Sequence, residues 1–300
     1  MHYNIKLIND KYDFEITGAS FIGEPVDGTM LFMTHKVKRL LPNMEGHKNC
    51  LVFVENGMEI DENLMEDNCF MFSDDPQREY AKLAITIDKE EKEKNKKRKH
   101  ILTQEGYYKG EGVKIGADTI IEAGCFIDHD VVIGNNCYIK SGTVIRNAII
   151  GDNFECFERV TIGTDCFFIA EDENNNEFRI PSFGKVIIGN NVCMGAGTVI
   201  ERGFNRNTRI NDYVKLDASV AIGHDCLIHE HVKATAGATI AGFVEIKQGA
   251  YIAMNATIKQ RLTIGENATV GMGAAVITNV KDGITVFGNP TKKYDFGFLK

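Results

Sequence analysis

No apolar run in the 300-residue sequence approaches the ~18 residues that a membrane-spanning helix needs, so membrane insertion is not expected. An excess of basic residues is also lacking, because the formal net charge is −8. A nucleic-acid or membrane-surface partner would favour a basic face and is therefore not expected. The N-terminal stretch MHYNIKLINDKYDFEI has neither the basic nor the apolar region of a signal peptide, which predicts a cytoplasmic protein.

The eight cysteines include no CxxC pair, the spacing that would indicate a redox or zinc motif. Four of them, Cys125, Cys137, Cys166 and Cys226, fall at the same position of a six-residue repeat, where other members are small and apolar. Small buried thiols serve as apolar core residues in such positions. We therefore expect reduced core cysteines rather than disulfides, and no metal site.

The strongest pattern in the chain is a period of six that runs without a slip from residue 210 to residue 280. Neither a helix, with a period of about 3.6, nor a simple strand, with a period of about 2, produces it. Strict hexads are typical of a β-helix, in which three hexads form one coil and positions 1 and 5 point inward. The sequence therefore predicts a mainly β fold, a left-handed parallel β-helix. Position 1 holds Ile210, Leu216, Ile222, Ile228, Ala234, Ile240, Ile246, Ile252, Ile258, Ile264, Val270 and Val276.

The hexads divide the chain into three predicted parts. Residues 1–100 show no repeat and combine short strand patterns with a helix that starts after Asp75-Pro76, which suggests a small α/β domain. Residues 101–281 form the β-helix, with a polar loop predicted at 170–185, and residues 282–300 form a C-terminal cap. A single coil cannot bury its apolar face alone, so stacking, end caps and association are needed. We expect a homotrimer with clefts between its subunits.

One corner of the predicted coil carries residues suited to acyl transfer. His224 occupies position 3 of its hexad, and Gly242 follows one coil later on the same corner. A base beside an unobstructed backbone N–H can take a proton from a nucleophile and stabilise an oxyanion. Asp217, in the preceding strand, is a candidate to orient the imidazole. The alternative is that His224 is an ordinary exposed corner histidine.

The segment 168–242 resembles UDP-3-O-acylglucosamine N-acyltransferase, the left-handed β-helix enzyme of lipid A synthesis, and related acyltransferases of nucleotide-linked amino sugars. The resemblance implies that His224 is the general base, that Asp217 supports it and that Gly242 supplies the oxyanion N–H. It places Arg261 near a second active-site histidine of that family, and so at the donor coenzyme. The motifs that carry it are IPSFGKVIIG, GAGTVIERG, LDASVAIGHD and ATAGATIAG.

Two further segments show weaker resemblances. ASFIGEPVDGTMLFMT is similar to the nucleotide-binding N-terminal domain of the same family, which implies that Phe32 and His35 contact the substrate. VGMGAAVITNVKDGITVFGNPTKKY resembles the closing coil of coenzyme A-dependent hexapeptide acetyltransferases, which implies that Gly288 and Lys292 border the coenzyme. The expected activity is therefore transfer of an acetyl group from acetyl-CoA to the amine of a nucleotide-linked amino sugar, with neither a metal nor a covalent enzyme intermediate.

Two alternatives remain open at this level. The first is an acyl carrier protein-dependent UDP-3-O-acylglucosamine N-acyltransferase. The second is a γ-type carbonic anhydrase, because His224 and His229 have the spacing of two of its zinc ligands. Catalytic zinc needs three protein ligands, and the region near Ile188, where that class has its third histidine, contains none. The acyltransferase interpretation is therefore favoured.

Overall fold

The computed structural model describes residues 2–172 and 174–293, which form two compact units. The first unit contains Met1–Lys97 together with Phe167–Gly184 and Phe204–Arg206. The second contains Arg98–Cys166, Lys185–Gly203 and Asn207–Lys300. Within the predicted C-terminal cap, residues 294–300 lie outside the described residues.

The second unit is a parallel β-helix with three sheets, in which each strand pairs with the strand one coil later. Where the hexads are unbroken this distance is eighteen residues, as for Ala221 and Thr239. The first sheet contains Tyr108–Gly110, Phe126–Ile127, Val144–Ile145, Thr161–Thr164, Val199–Glu201, Ala221–Ile222, Thr239–Ile240, Thr257–Ile258 and Ala275–Val276, preceded by the antiparallel strand His100–Leu102. The second contains Lys114–Ile115, Val132–Ile133, Ala148–Ile150, Val186–Ile188, Thr208–Ile210, Leu227–Ile228, Glu245–Ile246 and Thr263–Ile264. The third contains Ile120–Ile121, Tyr138–Ile139, Glu155–Cys156, Cys193–Met194, Lys215–Leu216, Lys233–Ala234, Tyr251–Ile252, Thr269–Val270 and Thr285–Phe287, followed by the antiparallel strand Lys292–Lys293.

The hexad pattern explains this architecture. Every position-1 residue from Ile210 to Val276 is at most 3% exposed, and the position-5 residues are buried as well, apart from the half-buried Leu262. Several corners turn through a residue with positive φ, and on one corner these are Asp225, Phe243 and Arg261, spaced one coil apart. Such left-handed residues turn the chain from one sheet to the next between short flat strands. The predicted β-helix is confirmed.

The first unit is a small α/β domain, as predicted. Its four-stranded parallel sheet consists of Gly18–Ala19, Thr29–Met33, Leu51–Glu55 and Cys69–Ser73. The other elements are the antiparallel pairs Tyr3–Asn4 with Glu15–Ile16 and Ile169–Glu171 with Glu177–Arg179, the 3-10 helices Ile5–Leu7 and His35–Met44, and the helices α1 (Glu62–Asp67) and α2 (Pro76–Asn95). Helix α2 begins at Pro76, one residue earlier than predicted, because the Asp75 side chain accepts a hydrogen bond from the Arg78 N–H and a proline fits the first helical turn. No helix in the described part of the chain is both long and apolar enough to cross a bilayer.

Two segments in the middle of the chain differ from a simple continuation of the hexads. Residues 170–185 were predicted to leave the β-helix as a polar loop; residues 167–184 belong to the first unit, where part of them forms the antiparallel hairpin given above. Phe168, which has the hexad spacing, does not point into the β-helix core. It is half-buried in the first unit and stacks on Phe204 at a centroid distance of 4.3 Å. The reason is that a large aromatic ring finds a matching aromatic partner there.

The cysteines are all free thiols, and all but the half-buried Cys193 are buried. Burial raises the pKa of the Cys156 thiol to about 12 and that of Cys69 to about 11. A thiol with a raised pKa is rarely a thiolate, which is the reactive and metal-binding form. This agrees with the predicted role of the cysteines as apolar core residues.

Candidate active site

His224 lies at a corner between the first and second sheets, with its imidazole 16% exposed. Its Nδ1 is 2.7 Å from Oδ2 of Asp225, which is fully buried. A carboxylate only accepts hydrogen bonds, so it holds the proton on Nδ1 and leaves the lone pair on Nε2. The ring is therefore set up to accept a proton through Nε2.

The backbone around this pair is held on both sides. The Asp225 N–H donates to Oγ1 of the buried Thr208 at 2.9 Å. The His224 N–H donates to Oε2 of Glu201 at 3.1 Å, and the His224 carbonyl accepts from the Phe243 N–H at 2.9 Å. Because the backbone of both residues is anchored, the imidazole is preorganised rather than free to sample solvent.

Gly242 packs its backbone directly against the imidazole. A Cβ at this position would lie 2.5 Å from Nε2 of His224 and 2.7 Å from its Cε1, closer than real contacts allow. Only glycine therefore permits the ring to stay where it is. The Gly242 N–H forms no hydrogen bond with any of the described residues. A base and an unengaged backbone donor thus lie side by side, as acyl transfer requires.

The contact that the sequence analysis assigned to Asp217 is made by Asp225. The two carboxylate oxygens of Asp217 accept instead from the N–H groups of Ala218, at 2.7 Å, and Ala236, at 3.2 Å. Asp217 thus bridges successive coils at the corner before the His224 strand. Its side chain points along the corner because two backbone donors converge there.

Substituting these two aspartates separates the two roles. Asp225→Asn keeps an acceptor for Nδ1 and suits the left-handed backbone, but it removes the charge. Hydrogen bonds to charged groups contribute about 1.5–3 kcal/mol, so we expect kcat to fall by a factor of roughly 10–150. Asp217→Asn loses one of two backbone acceptors, so we expect a stability loss of about 1 kcal/mol with kcat nearly unchanged. Steady-state kinetics and thermal unfolding of both variants check this, and a larger kcat loss for Asp217→Asn would contradict it.

The predicted donor-binding residues divide between two corners. Arg261 shares the corner of His224 and Gly242, and its N–H donates to the Gly242 carbonyl at 3.1 Å. Gly288 directly follows the strand Thr285–Phe287, and Lys292 lies on the antiparallel strand that pairs with it, several coils away from His224 along the β-helix. The Gly288 carbonyl accepts from the Ala275 N–H at 3.1 Å, and Lys292 is exposed. Within one chain, these two residues are not brought together with His224.

The predicted substrate residues Phe32 and His35 belong to the first unit. Phe32 is half-buried, and the centroid of its ring lies 5.2 Å from the ring centroid of Tyr80. The His35 N–H donates to Oε2 of Glu55 at 2.7 Å, and its Nε2 is 3.1 Å from the Asn56 carbonyl. Each side chain therefore has contacts within its own unit.

A second corner repeats the histidine-aspartate motif of the first, but its histidine is the opposite tautomer. Like His224-Asp225, His129-Asp130 follows a strand of the first sheet. Here Nδ1 of His129 accepts the Glu111 N–H at 2.9 Å, so the neutral ring carries its proton on Nε2. Burial, together with the positive charges of Arg98 and His100, lowers the pKa of His129. The proton of the neutral ring thus lies on Nε2 at this corner, whereas at the His224 corner it lies on Nδ1.

Among the described residues, one group could hold a metal ion. It consists of His100, Asp128 and His129, whose potential ligand atoms lie within 4.8 Å of one another. These atoms have competing partners. Asp128 accepts from Nε2 of His100 at 3.0 Å and from Arg146 at 3.2 Å, while Nδ1 of His129 accepts a backbone hydrogen bond. The group does not include His224 or His229, the pair on which the carbonic anhydrase alternative depends. Nε2 of His229 is instead 3.0 Å from Oε1 of Glu245.

Asp225 and Glu201 were not predicted as neighbours of the imidazole. A signal existed for Asp225, since an aspartate directly after a corner histidine occupies the left-handed position and can turn back onto its neighbour. For Glu201 no periodic signal was available, because an irregular segment separates it from the next coil.

Comparisons with known proteins agree with this geometry. The family described as bacterial transferase hexapeptide (six repeats) matches residues 112–147. UDP-3-O-acylglucosamine N-acyltransferase 2 of Legionella pneumophila is 49% identical over 146 residues, which cover 49% of this chain and 42% of that protein. The UDP-3-O-acylglucosamine N-acyltransferase of Rhodopseudomonas palustris is 37% identical over 110 residues, 36% of this chain and 30% of that protein. The chain thus spans less than half the length of the curated relatives it matches.

Solved structures give the same fold. The UDP-N-acetylglucosamine acyltransferase of Francisella novicida aligns with a TM-score of 0.56 and 28% identity, over 62% of this chain and 66% of that one. The corresponding enzyme of Campylobacter jejuni aligns with a TM-score of 0.55 and 26% identity, over 62% and 71%. The chain thus contains hexapeptide repeats, its left-handed β-helix resembles that of the UDP-N-acetylglucosamine acyltransferases, and part of its sequence is similar to UDP-3-O-acylglucosamine N-acyltransferases.

Proposed function

We propose that the protein is an N-acyltransferase that moves an acyl group from a thioester to the amine of a UDP-linked 3-O-acylglucosamine. The observation that carries this proposal is the corner at which Nε2 of His224, with Nδ1 held by the buried Asp225, lies against the Gly242 backbone. The names of the relatives support the substrate class. The proteins of Legionella pneumophila and Rhodopseudomonas palustris described above are both UDP-3-O-acylglucosamine N-acyltransferases.

In this mechanism the amine nitrogen attacks the thioester carbonyl carbon. His224 takes the proton that the nitrogen loses as the N–C bond forms. The carbonyl oxygen becomes an oxyanion and receives the hydrogen bond of the Gly242 N–H. When the C–S bond breaks, the electron pair leaves with sulfur, and the imidazolium returns its proton to the thiolate. The imidazole thus ends the cycle in the state in which it began.

The donor is where the comparisons depart from the main expectation of the sequence analysis. That expectation was acetyl-CoA, based on the similarity of the C-terminal segment with Gly288 and Lys292. The relatives' names favour the alternative, the lipid A enzyme, to which the resemblance assigned an acyl carrier protein thioester. We therefore propose the carrier protein as the donor, with Gly288 and Lys292 outside the catalytic corner.

A donor competition tests both parts of the proposal. The purified protein receives UDP-3-O-acylglucosamine with either an acyl carrier protein thioester or acetyl-CoA, and mass spectrometry detects the N-acylated product. We expect transfer from the carrier protein and little from acetyl-CoA. Transfer from acetyl-CoA alone would restore the first expectation. No transfer from either donor, with a folded protein, would contradict the proposed function.

The homotrimer and the cytoplasmic location stay predictions. In a trimer of β-helices the corner with His224 would face a cleft between subunits, which would exclude water from the reacting groups. Substrate contacts of Phe32 in the first unit are likewise part of the proposal. They are supported by the similarity of its segment to a nucleotide-binding domain.

A further inference from the structure

One corner between the second and third sheets carries a pair of stacked rings on the outside of the β-helix. The rings of Tyr213 and His231 are parallel, with centroids 4.9 Å apart and an angle of 9° between their planes. Tyr213 is 48% exposed, and His231 is exposed as well. The two residues lie one coil apart, so the spacing of the coils sets the spacing of the rings. The pair presents flat aromatic surface to solvent.

The backbone at these two positions favours small residues, because both have positive φ, 62° for Tyr213 and 60° for His231. Positive φ is uncommon for a bulky residue, since its side chain crowds the backbone. Residues held in such conformations cluster at functional sites. The other residues with positive φ in this corner column are Asp118, Asn136, Asn153, Asn191, Gly249, Asn267 and Gly283.

A pair of lysines on the neighbouring sheet extends to the same corner. Lys215 and Lys233 are exposed and lie directly opposite each other on adjacent parallel strands, where like charges repel. Nζ of Lys215 donates to the Asn191 carbonyl at 2.8 Å, one coil before Tyr213. This side chain therefore crosses from the sheet to the corner column. Among the described residues, no carboxylate lies within ion-pair distance of either ammonium group.

The acidic side chains of this corner are engaged elsewhere. Oδ1 of Asp212 accepts from the Asn190 N–H at 2.7 Å, and Oε1 of Glu230 accepts from the Asn211 amide at 2.9 Å. The repulsion between the two ammonium groups is therefore not relieved within this part of the chain. Two local costs thus lie side by side, a bulky ring on strained backbone and a pair of like charges. An anion that carries a planar ring would compensate for both.

The space beyond the stack suits such a ring. The column continues past His231 with Gly249, which has no side chain of its own. A Cβ at Gly249 would lie 2.3 Å from Oδ1 of Asn267, so an amide group borders this space. Bases stack readily on aromatic side chains, and an amide can hydrogen-bond with a base edge. Phosphate pairs with lysine ammonium groups through charge-assisted hydrogen bonds.

We propose that the stacked rings of Tyr213 and His231, with Lys215 and Lys233, form a binding site for a nucleoside phosphate. The base stacks on the exposed rings, and the phosphate pairs with the two ammonium groups. The site is separate from the catalytic corner, because His224 precedes the strand Leu227–Ile228 and His231 follows it. It does not depend on the proposed acyl transfer.

Calorimetric titration of the full chain with adenosine monophosphate tests this proposal. The variants are the double substitution Tyr213→Asn with His231→Asn, and Lys233→Gln. Lys114→Gln is the control, because it removes an exposed lysine from the outer end of the second sheet. We expect the double variant to bind about 5- to 150-fold more weakly, the usual contribution of stacking one base. Lys233→Gln should weaken binding about 10- to 100-fold, as for a lost hydrogen bond to a charged group, and Lys114→Gln should leave it unchanged.

The two halves of the ligand separate the two halves of the site. Adenosine should bind the parent more weakly than its monophosphate and equally to the parent and Lys233→Gln. Inorganic phosphate should bind equally to the parent and the double variant. The variants are expected to fold, because asparagine already occupies other positions of this column. Adenosine monophosphate should therefore raise the Tm of the parent and leave that of the folded double variant unchanged.

Two results would overturn the proposal. The first is that adenosine monophosphate does not bind the parent at millimolar concentration, or binds the folded double variant equally well. The second is that the double substitution changes the mass in light scattering while the nucleotide binds neither protein, which would make the stack a contact between copies of the chain. Since no acyl transfer is measured, neither result bears on the proposed function.

Discussion

Replacing His224 with alanine should lower kcat by a factor on the order of 10²–10⁴, the usual contribution of a general base. The expectation follows from the geometry, because the carboxylate of Asp225 holds the ring proton on Nδ1 and the other ring nitrogen, Nε2, lies against Gly242. The variant leaves the Asp225 carboxylate buried without the imidazole, so we also expect a stability loss of about 1–3 kcal/mol. Assays below the unfolding temperature, with His224→Gln as a second variant of similar polarity, separate the two effects.

The matched control for this experiment is His129→Ala. His129 has the same place in its hexad and the same following aspartate, but its Nδ1 accepts a backbone N–H, so Nε2 carries the proton. We expect kcat for His129→Ala to equal that of the parent at a temperature where both are folded. An unchanged rate in His224→Ala would contradict the general-base assignment. It would mean that the substrate amine arrives deprotonated and that the corner only positions it.

Gly242→Ala should lower kcat nearly as much as His224→Ala, although it adds only one carbon atom. The added carbon would lie 2.5 Å from Nε2 of His224, so the imidazole or the backbone has to shift. Displacing a catalytic group by about 1 Å costs roughly 10²-fold in rate, and disturbing the oxyanion donor adds a loss of about 10²–10³-fold. We expect kcat to fall by at least about 10²-fold. Single-turnover measurements show whether the loss lies in the chemical step.

Gly18→Ala is the control for a glycine-to-alanine change. Its added carbon would meet only the Thr29 methyl group at 3.5 Å, an ordinary contact, and its backbone does not need glycine. We expect parent-like kinetics from this variant. If Gly242→Ala also retained the parent rate, the close packing of backbone and imidazole would have no catalytic role. The oxyanion assignment of Gly242 would then be wrong.

The β-helix and the pairing of His224 with Gly242 could both be predicted from the sequence, for one physical reason. A strict period fixes which residues share a corner, so a spacing of eighteen residues translates directly into adjacency between coils. The direction of a side chain at a corner does not follow from the period. This is why Asp217, expected at the imidazole, bridges two backbone N–H groups, whereas Asp225 takes its place.

The remaining differences arise where the period stops. Phe168 keeps the hexad spacing, yet its ring stacks in the first unit because an aromatic partner, Phe204, is brought there by a second irregular segment. A contact between Phe243 and Arg261, whose guanidinium carbon lies 4.2 Å from the ring centroid, was not predicted for a related reason. Both positions face outward, where apolar periodicity carries no information, and their contact is a cation–aromatic interaction between side chains.

The antiparallel strands at the two ends of the β-helix affect how the protein behaves at high concentration. A stack of parallel strands exposes unpaired N–H and C=O groups at each end, and such edges can template fibril growth by end-to-end addition of further copies. In this protein His100–Leu102 closes the first sheet at one end, and Lys292–Lys293 closes the third at the other. The reversed strand direction at both ends, and the lysine charges at the second, should disfavour the addition of further copies to these two sheets.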